Sequence, residues 1–446
     1  MLEEKPTPAE SSHPAVGYSY PRDLALFVQD RWRGPEPDGG VDLLPDPATL
    51  HYFFSACYHA SMLREEERPV TFRAILAPPS LFTREQRPPE GLQLLEFSRS
   101  LLFHPSELRR LSAAADSQRT LIGVQSAGNE DGGLRIWGLI NSGTRWLRDV
   151  QGGRRAGPSL PHAPVVHIEA PGSIEVYKGY DLIGKLQAGR LSGLRVDLFE
   201  SEWLPVEFSE FRTTLMERHE EGRNRASENF APLEPTLPRR IAERMMKRVI
   251  SMLRAARHGG TIIFIPLKIA TEPNGTDSYI DLKYRFAGGR PQPSFPDLVV
   301  EILNRLACVY GASHQSGQKP VGWAEFEATT DDELALLDEA LFETAHLIAG
   351  LAAVDGAVVL SKDHELMGFG GMISGRLPAI KTVARSLDLE GETFAEEETG
   401  NVGARHRSAY RLAGALLGSL AIVISQDGGV RFVCQKDGRV TYWEQD

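Results

Sequence analysis

The segment Val354–Ser361 has the sequence VDGAVVLS and places an acidic residue directly before a short apolar run. A continuous, mainly β-branched run between polar ends is typical of a buried β-strand. Asp355 is therefore predicted to stand at the start of a strand, on the rim of a sheet. Gly356 and Ala357 carry almost no side chain, so a flat or phosphorylated ligand can approach the backbone closely beside the acid.

The chain is predicted to return as a second strand after this one. A polar turn at residues 362–364 is followed by the sequence LMGFGGMI at residues 366–373. Glycine inside a strand is typical of close contact with a ligand or with another backbone. Gly370 and Gly371 are therefore candidate binding residues.

A helix is predicted to begin near Arg405, because apolar residues repeat at helical spacing through Ala409, Leu412, Ala413, Leu416, Leu417 and Leu420. The triplet Arg405–Arg407 then occupies the first turn, where the free N–H groups carry partial positive charge. Two arginines there cost stability unless an anion joins them, and phosphate oxygens match the guanidinium fork. The alternative is that Glu396, Glu397 and Glu398 neutralise both arginines.

Three short strands are predicted to finish the chain after this helix. Residues 421–425, 430–434 and 439–443 are rich in β-branched and aromatic residues, and glycine-containing turns separate them. This pattern predicts an antiparallel meander. Ser425 ends its first strand.

Together these motifs resemble the diadenylate cyclase (DAC) domain, a family that condenses two ATP molecules into cyclic di-AMP and two pyrophosphates. The resemblance rests on Asp-Gly-Ala at 355–357, Gly-x-Arg-His-Arg at 403–407 and Ser-Gln-Asp-Gly-Gly at 425–429. The first two motifs are separated by roughly fifty residues, which is long for a structureless loop. The resemblance covers the last ~100 residues closely, and with Leu237–Pro266 it extends over a domain of ordinary size.

The resemblance implies a role for each of these residues. Asp355 would hold a Mg²⁺ or Mn²⁺ ion or orient the attacking 3′-hydroxyl group of ATP. Arg405 and Arg407 would clamp phosphates, and His406 would donate to a phosphate or bind the metal. The small residues nearby would contact the nucleotide: Gly356, Ala357, Gly370, Gly371, Gly403, Ala404 and Ser425.

One residue departs from the family pattern, since Ala404 stands where threonine usually precedes the Arg-His-Arg triplet. Loss of one hydroxyl contact would cost on the order of 1 kcal/mol and slow turnover rather than abolish it. In the family two protomers meet face to face, each with one ATP, so a homodimer or higher oligomer is implied. The alternative function is a non-catalytic module whose same pocket binds ATP or a cyclic (di)nucleotide and signals to a partner.

The overall composition restricts the possible partners and locations. A net charge of −11 argues against a general nucleic-acid or anionic-membrane surface, and no DNA-binding module is predicted. No apolar run approaches the length of a bilayer span, and the acidic start lacks a signal core, so no membrane partner is expected. Cys57, Cys308 and Cys434 lack metal-ligand spacing and are expected to be thiols in the cytoplasm.

The predicted fold class is α/β, with a mixed sheet flanked by helices in the DAC-like part. The N-terminal domain is expected to be regulatory or dimer-forming, an inference from its position alone. The predicted parts are a disordered tail (1–20), an α/β domain (21–150), a linker with a small β-rich unit (151–206), a helical connector (207–235) and the DAC-like domain (236–446), with an insertion near 270–330.

Two charged segments are left outside the predicted site. Residues 390–398 are rich in glutamate and are predicted to form a solvated loop, with a metal source or a mobile flap as alternatives. The helix that begins at Leu237 carries a basic face, which is also predicted to be solvated. That face comprises Arg239, Arg240, Arg244, Lys247, Arg248 and Arg254.

Overall fold

The computed structural model describes residues 18–32, 43–82, 92–117, 119–127, 133–142, 160–192, 197–225, 229–272, 275–286, 294–311, 319–426 and 428–445. These residues fall into two compact units, residues 18–142 with 160–192, and residues 197–445. Both units are mixed α/β, which confirms the predicted fold class. Residues 1–17 of the predicted tail and 151–159 of the predicted linker lie outside the described residues.

The first unit contains an eight-stranded mixed sheet and a two-stranded ribbon. Its strands are β1 (Arg64–Glu65), β2 (Arg68–Pro69), β3 (Phe72–Leu76), β4 (Gln93–Leu102), β5 (Thr120–Ser126), β6 (Leu134–Asn141), β7 (Pro164–Ala170), β8 (Ser173–Lys178), β9 (Asp181–Gln187) and β10 (Arg190–Ser192). The order in the large sheet is β10-β9-β8-β7-β3-β5-β6-β4. Strands β7 to β10 lie within the predicted linker and small β-rich unit (151–206) but continue this sheet, because β7 pairs with the free edge of β3.

Three helices belong to the first unit: α1 (Pro21–Arg31), α2 (Pro47–Ser61) and α3 (Pro105–Ser112). The Asp46 carboxylate accepts hydrogen bonds from the backbone N–H groups of Ala48 and Thr49, which begins α2 at its proline. Phe53 and Phe54 of α2 are fully buried in the core of this unit. Its apolar residues Leu50, Phe53, Phe54 and Cys57 recur at helical spacing.

The second unit is built on a nine-stranded sheet. Its strands are β11 (Gly260–Ile265), β12 (Ile280–Arg285), β13 (Ala357–Ser361), β14 (Leu366–Ile373), β15 (Thr382–Ser386), β16 (Phe394–Glu398), β17 (Leu420–Ile424), β18 (Val430–Lys436) and β19 (Arg439–Gln445), in the order β12-β14-β13-β11-β17-β18-β19-β15-β16. The predicted meander is confirmed, since β17 pairs antiparallel with β18 and β18 with β19.

Helices cover both faces of this sheet. They are α4 (Trp203–Val206), α5 (Ser209–Arg225), α6 (Leu237–Ala256), α7 (Leu267–Thr271), α8 (Phe295–Gly311), α9 (Trp323–Ala328), α10 (Asp332–Leu351) and α11 (Ala404–Ala415). Alternate strand residues enter two cores: Ile262 packs with α6, α8 and α10, whereas its neighbour Ile263 packs with α11. Each fully buried side chain of this kind stabilises the fold by ~1.5–3 kcal/mol. In the described part of the chain, no helix is both long and apolar enough to cross a bilayer.

Two segments predicted to lie outside the main fold are integral to its core. The predicted insertion, residues 270–330, supplies the edge strand β12, which pairs with β14, and the helix α8, which buries Leu298. The predicted connector, residues 207–235, forms α5, which buries Phe211 in the same core. Their apolar residues leave water by packing against the sheet that the rest of the unit forms.

The basic face of α6 is not uniformly solvated, contrary to the prediction. Arg248 is 1% exposed, and its guanidinium lies 3.0 Å from the Asp338 carboxylate of α10. Arg244 is buried beneath Trp323, with its guanidinium carbon 4.8 Å from a ring centroid. The partners of both arginines come from distant segments, so helical spacing alone did not indicate them.

Candidate functional site

The two predicted triplets lie at the same end of the nine-stranded sheet. β11 and β13 are parallel, with Ile262 opposite Val358, and β11 and β17 are antiparallel, with Gly260 opposite Ile424. Three strand ends therefore lie together at one end of the sheet: the start of β11, the start of β13 and the end of β17. We call this end of the sheet the rim and define it by residues 258–260, 355–357 and 424–426.

Asp355 lies on the rim with an exposed side chain, directly before β13. Continuing the register of β11 and β13 brings its backbone to the level of Gly259. Among the described residues, the Asp355 carboxylate has no hydrogen-bond or ion-pair partner. The acid is therefore free to bind a ligand group.

Backbone conformation and close packing explain why glycine occupies positions 356 and 370. Gly356 has a φ of +112° and Gly370 a φ of +66°, which L side chains rarely adopt. A methyl group at Gly356 would lie 2.5 Å from the Gly370 carbonyl carbon. The close approach that the sequence analysis attributed to a ligand is thus made by the neighbouring backbone. Gly371 pairs with the buried Ala357 and packs against Ile280.

Arg405 reaches the rim from the first turn of α11. Its guanidinium donates a hydrogen bond to the backbone carbonyl oxygen of His258, 3.2 Å away. A methyl group at Gly259, whose φ is +66°, would lie 2.5 Å from an Arg405 guanidinium nitrogen. The absence of a side chain at Gly259 therefore leaves room for the guanidinium. The structure brings Arg405 and Asp355 to the same end of the sheet.

The other two residues of the triplet are held differently. Arg407 donates a hydrogen bond to the backbone carbonyl oxygen of Val402, in the loop before its own helix. Its side chain is exposed, and His406 is half-buried. Of the two arginines, it is thus Arg405 that contacts the rim strand directly.

The N-terminus of α11 is open to an anion. Gly403 caps this 12-residue helix without a side-chain hydrogen bond, and Ala404 is exposed and has no hydroxyl group. The first N–H groups of a helix lack intrahelical partners and carry partial positive charge. Those groups and the two arginines together form a site suited to phosphate.

The alternative in which the upstream glutamates neutralise these arginines has no direct contact to support it among the described residues. Glu397 accepts a hydrogen bond of 2.5 Å from the Tyr442 hydroxyl and lies 3.7 Å from Arg385. Within the described ranges, none of the three glutamates forms an ion pair with Arg405 or Arg407. Residues 394–398 form the edge strand β16 rather than the predicted loop, because they pair with β15. Charged side chains are a common feature of such edges.

Ser425 also belongs to the rim. The Ser425 hydroxyl donates to the Gly429 carbonyl oxygen at 3.0 Å and so closes the turn after β17.

The described residues contain no group of three or more histidine, cysteine or acidic side chains that could hold a metal ion. Among the described rim residues, Asp355 would be the carboxylate ligand of a Mg²⁺ or Mn²⁺ ion, and a bound triphosphate would have to supply further oxygen ligands.

His258 and Gly259 contribute to the rim although neither was predicted to belong to the site. The helix α6 ends at Ala256, its C-cap residue Arg257 has a left-handed conformation, and Gly259 lies two residues further on. Gly259 itself indicated the end of a helix here, because glycine is common just after a helix C-terminus. What the sequence does not show is that the carbonyl group of this turn accepts from a residue 147 positions away.

Comparison with known proteins identifies a relationship for the first unit. Residues 40–141 match a family described as "Probable sensor domain DACNV". The match covers less than a quarter of the 446 residues and spans α2 to β6. No curated protein and no solved structure matches the chain.

Proposed function

We propose that the second unit is a diadenylate cyclase that condenses two ATP molecules into cyclic di-AMP and two pyrophosphates. The observation that carries this proposal is that Asp355 and Arg405 lie at the same end of the nine-stranded sheet. The two residues are distant in sequence, yet they reach the same end of the sheet as the open N-terminus of α11. An acid beside a phosphate-binding helix start is the arrangement that nucleotidyl transfer needs.

In this reaction the residues act mainly by positioning and by charge. Arg405 and the N–H groups of α11 bind the phosphates and stabilise the negative charge that moves to the leaving pyrophosphate. Asp355 orients the 3′-hydroxyl group that attacks the α-phosphorus of the other ATP. A bound Mg²⁺ or Mn²⁺ would polarise the phosphate oxygens. Since each ATP supplies one hydroxyl group and one phosphorus, two protomers facing each other form the working unit.

We assign a sensing role to the first unit. Its match to a probable sensor domain supports that role, and the match ends at the last residue of β6. Binding of a signal to the first unit would change the rate at which the second unit forms cyclic di-AMP.

A second candidate function is nucleotide sensing without catalysis. Ala404 favours this function, because the exposed first turn of α11 lacks the hydroxyl that the cyclase family usually presents there. In that case the rim would bind ATP or a cyclic nucleotide and produce no new bond.

Incubation of the purified full chain with ATP and either Mg²⁺ or Mn²⁺ distinguishes the two functions. A cyclase yields one cyclic di-AMP for every two pyrophosphates; mass spectrometry measures the first product, and a phosphate assay coupled to inorganic pyrophosphatase measures the second. A sensor binds ATP in a parallel calorimetric titration but leaves it intact. Arg240→Ala, an exposed change on α6, serves as the matched control for handling and folding.

A further inference from the structure

The nine-stranded sheet of the second unit has two edge strands, β12 and β16. β12 pairs with β14 on one side, and within the described part of the chain no strand lies along its other side. An edge strand presents a row of N–H and C=O groups that can pair with another chain. The side chains along each edge decide whether a second copy of the same strand can approach it.

β12 carries two opposite charges, Asp281 and Lys283, on either side of Leu282. Both charged side chains are exposed and Leu282 is buried, because alternate residues of a strand point to opposite faces. The Lys283 ammonium nitrogen lies 5.1 Å from the ring centroid of Tyr284. Neither Asp281 nor Lys283 forms an ion pair with another described residue. Both charges are therefore available to a partner.

The order of these charges is complementary to itself. When two copies of β12 pair antiparallel about Leu282, Asp281 of each copy lies opposite Lys283 of the other copy. Directly opposite side chains in such a pair share a face, with Cβ atoms ~4.5–5.5 Å apart, and opposite charges there stabilise the pairing. Two-fold symmetry forms both contacts at once, because the same surface contributes from each copy.

The other sheet edges have features that oppose pairing with a second copy. In β16, antiparallel pairing centred on Glu396, Glu397 or Glu398 places glutamate opposite glutamate. In the first unit, β10 has three residues, and β4 has a register shift between Glu96 and Leu101. Like charges, short strands and bulges all protect an edge. β12 differs, because it has six residues, keeps one register against β14 and carries both signs of charge.

We propose that β12 is an interaction surface for a second copy of this chain, through antiparallel pairing centred on Leu282. The strands of the two copies then run in opposite directions, so the two rims also point in opposite directions. The contact is therefore different from the face-to-face contact of the proposed cyclase. A six-residue strand buries little surface, so the association is weak and depends on protein concentration.

Sedimentation velocity of the full chain without ATP tests this proposal through the two charges. The wild type should self-associate reversibly between about 10 and 500 μM, the range of a weak contact. Lys283→Asp leaves only acids at the two positions and Asp281→Lys leaves only bases, so each variant alone should self-associate at least about tenfold more weakly. An equimolar mixture of the two variants should associate as the wild type does, because acidic edges then pair with basic edges. Lys319→Asp, the same charge change at an exposed position outside the sheet, should behave as the wild type.

Chemical cross-linking tests the register of the pair. A mixture of Asp281→Cys and Lys283→Cys chains should form a covalent dimer with a short thiol cross-linker faster than either variant alone, since the two positions lie opposite each other. The wild type controls for reaction of the three native cysteines. Equal rates in the mixture and in the single variants would contradict pairing about Leu282.

Three results of the sedimentation experiment would overturn the proposal. The first is a wild type that stays monomeric up to about 500 μM. The second is a Lys283→Asp variant that self-associates as tightly as the wild type. The third is a mixture of Lys283→Asp and Asp281→Lys that associates no better than either variant alone. None of these results depends on whether the rim turns over ATP.

Discussion

The guanidinium of Arg405 donates a hydrogen bond to the backbone carbonyl oxygen of His258, 3.2 Å away, although 147 positions separate the two residues. This contact joins the N-terminus of α11 to the start of β11, at the level of Asp355. A guanidinium held in this way is positioned before any ligand arrives. Preorganised charge of this kind contributes most to binding and to transition-state stabilisation.

Replacing Arg405 tests its role as a phosphate ligand. Arg405→Ala should weaken ATP binding roughly 10- to 150-fold, the equivalent of about 1.5–3 kcal/mol for a hydrogen bond to a charged group. The variant should fold normally, because the side chain is exposed. Calorimetric titration with ATP measures the change, with Arg240→Ala as control. Unchanged affinity in Arg405→Ala would remove this residue from the site.

The glycine beside this guanidinium provides a second test. Gly259→Ala should lower ATP affinity, because the new methyl group would displace the Arg405 side chain. Gly438→Ala is the matched control, since Gly438 also has a positive φ but has open space where the methyl group would lie. Both changes carry the cost of a left-handed non-glycine residue, about 1–3 kcal/mol, and Gly259→Ala should cost more because its methyl group would also lie 2.8 Å from the Ile424 carbonyl oxygen. The prediction fails if the two variants bind ATP equally well.

The buried ion pair of Arg248 and Asp338 should stabilise the second unit. Arg248→Ala leaves an uncompensated carboxylate that is mostly buried, which typically costs about 3–5 kcal/mol. Urea unfolding followed by circular dichroism measures this loss, with the exposed Arg240→Ala change on the same helix as reference. A loss below about 1 kcal/mol would indicate that the pair behaves like a surface salt bridge.

His364 should make the free energy of unfolding depend on pH. Burial lowers the pKa of this histidine to about 3 from its ordinary 6.5, so the unfolded chain binds a proton there before the folded chain does. Stability is therefore lost as pH falls below about 6.5, by up to about 1.4 kcal/mol per pH unit. Unfolding free energies of wild type and His364→Phe should diverge between pH 7 and pH 5. Parallel curves in that window would show that His364 titrates normally.

Local patterns predicted much of the second unit. Apolar spacing along the chain predicts whether a segment is a helix or a strand. It did so for the strand after Asp355, the helix that begins near Arg405 and the terminal meander. The strand β16 was predicted as a loop, because its glutamates lie on a sheet edge and give no apolar alternation. Strand pairing across long distances, such as β15 beside β19, has no local signal.

The candidate site was predictable in its parts but not in its arrangement. The sequence indicated an acid at a strand start and arginines at a helix start, and each element is present. The roles of Gly259 and the His258 carbonyl depend on which strands become neighbours, and strand order is a property of the whole sheet. The buried setting of His364 likewise depends on four rings from distant segments.

The most direct test of the proposed cyclase is a comparison of wild type with Asp355→Asn in the presence of ATP and Mn²⁺. The rate of cyclic di-AMP formation, measured by mass spectrometry, is the quantity to compare. The wild type should form the product, and Asp355→Asn should bind ATP with similar affinity but form almost none, because a neutral amide lacks the negative charge with which a carboxylate polarises the hydroxyl group and holds a divalent ion. Equal rates in the two proteins, or no product from an ATP-binding wild type, would contradict the account.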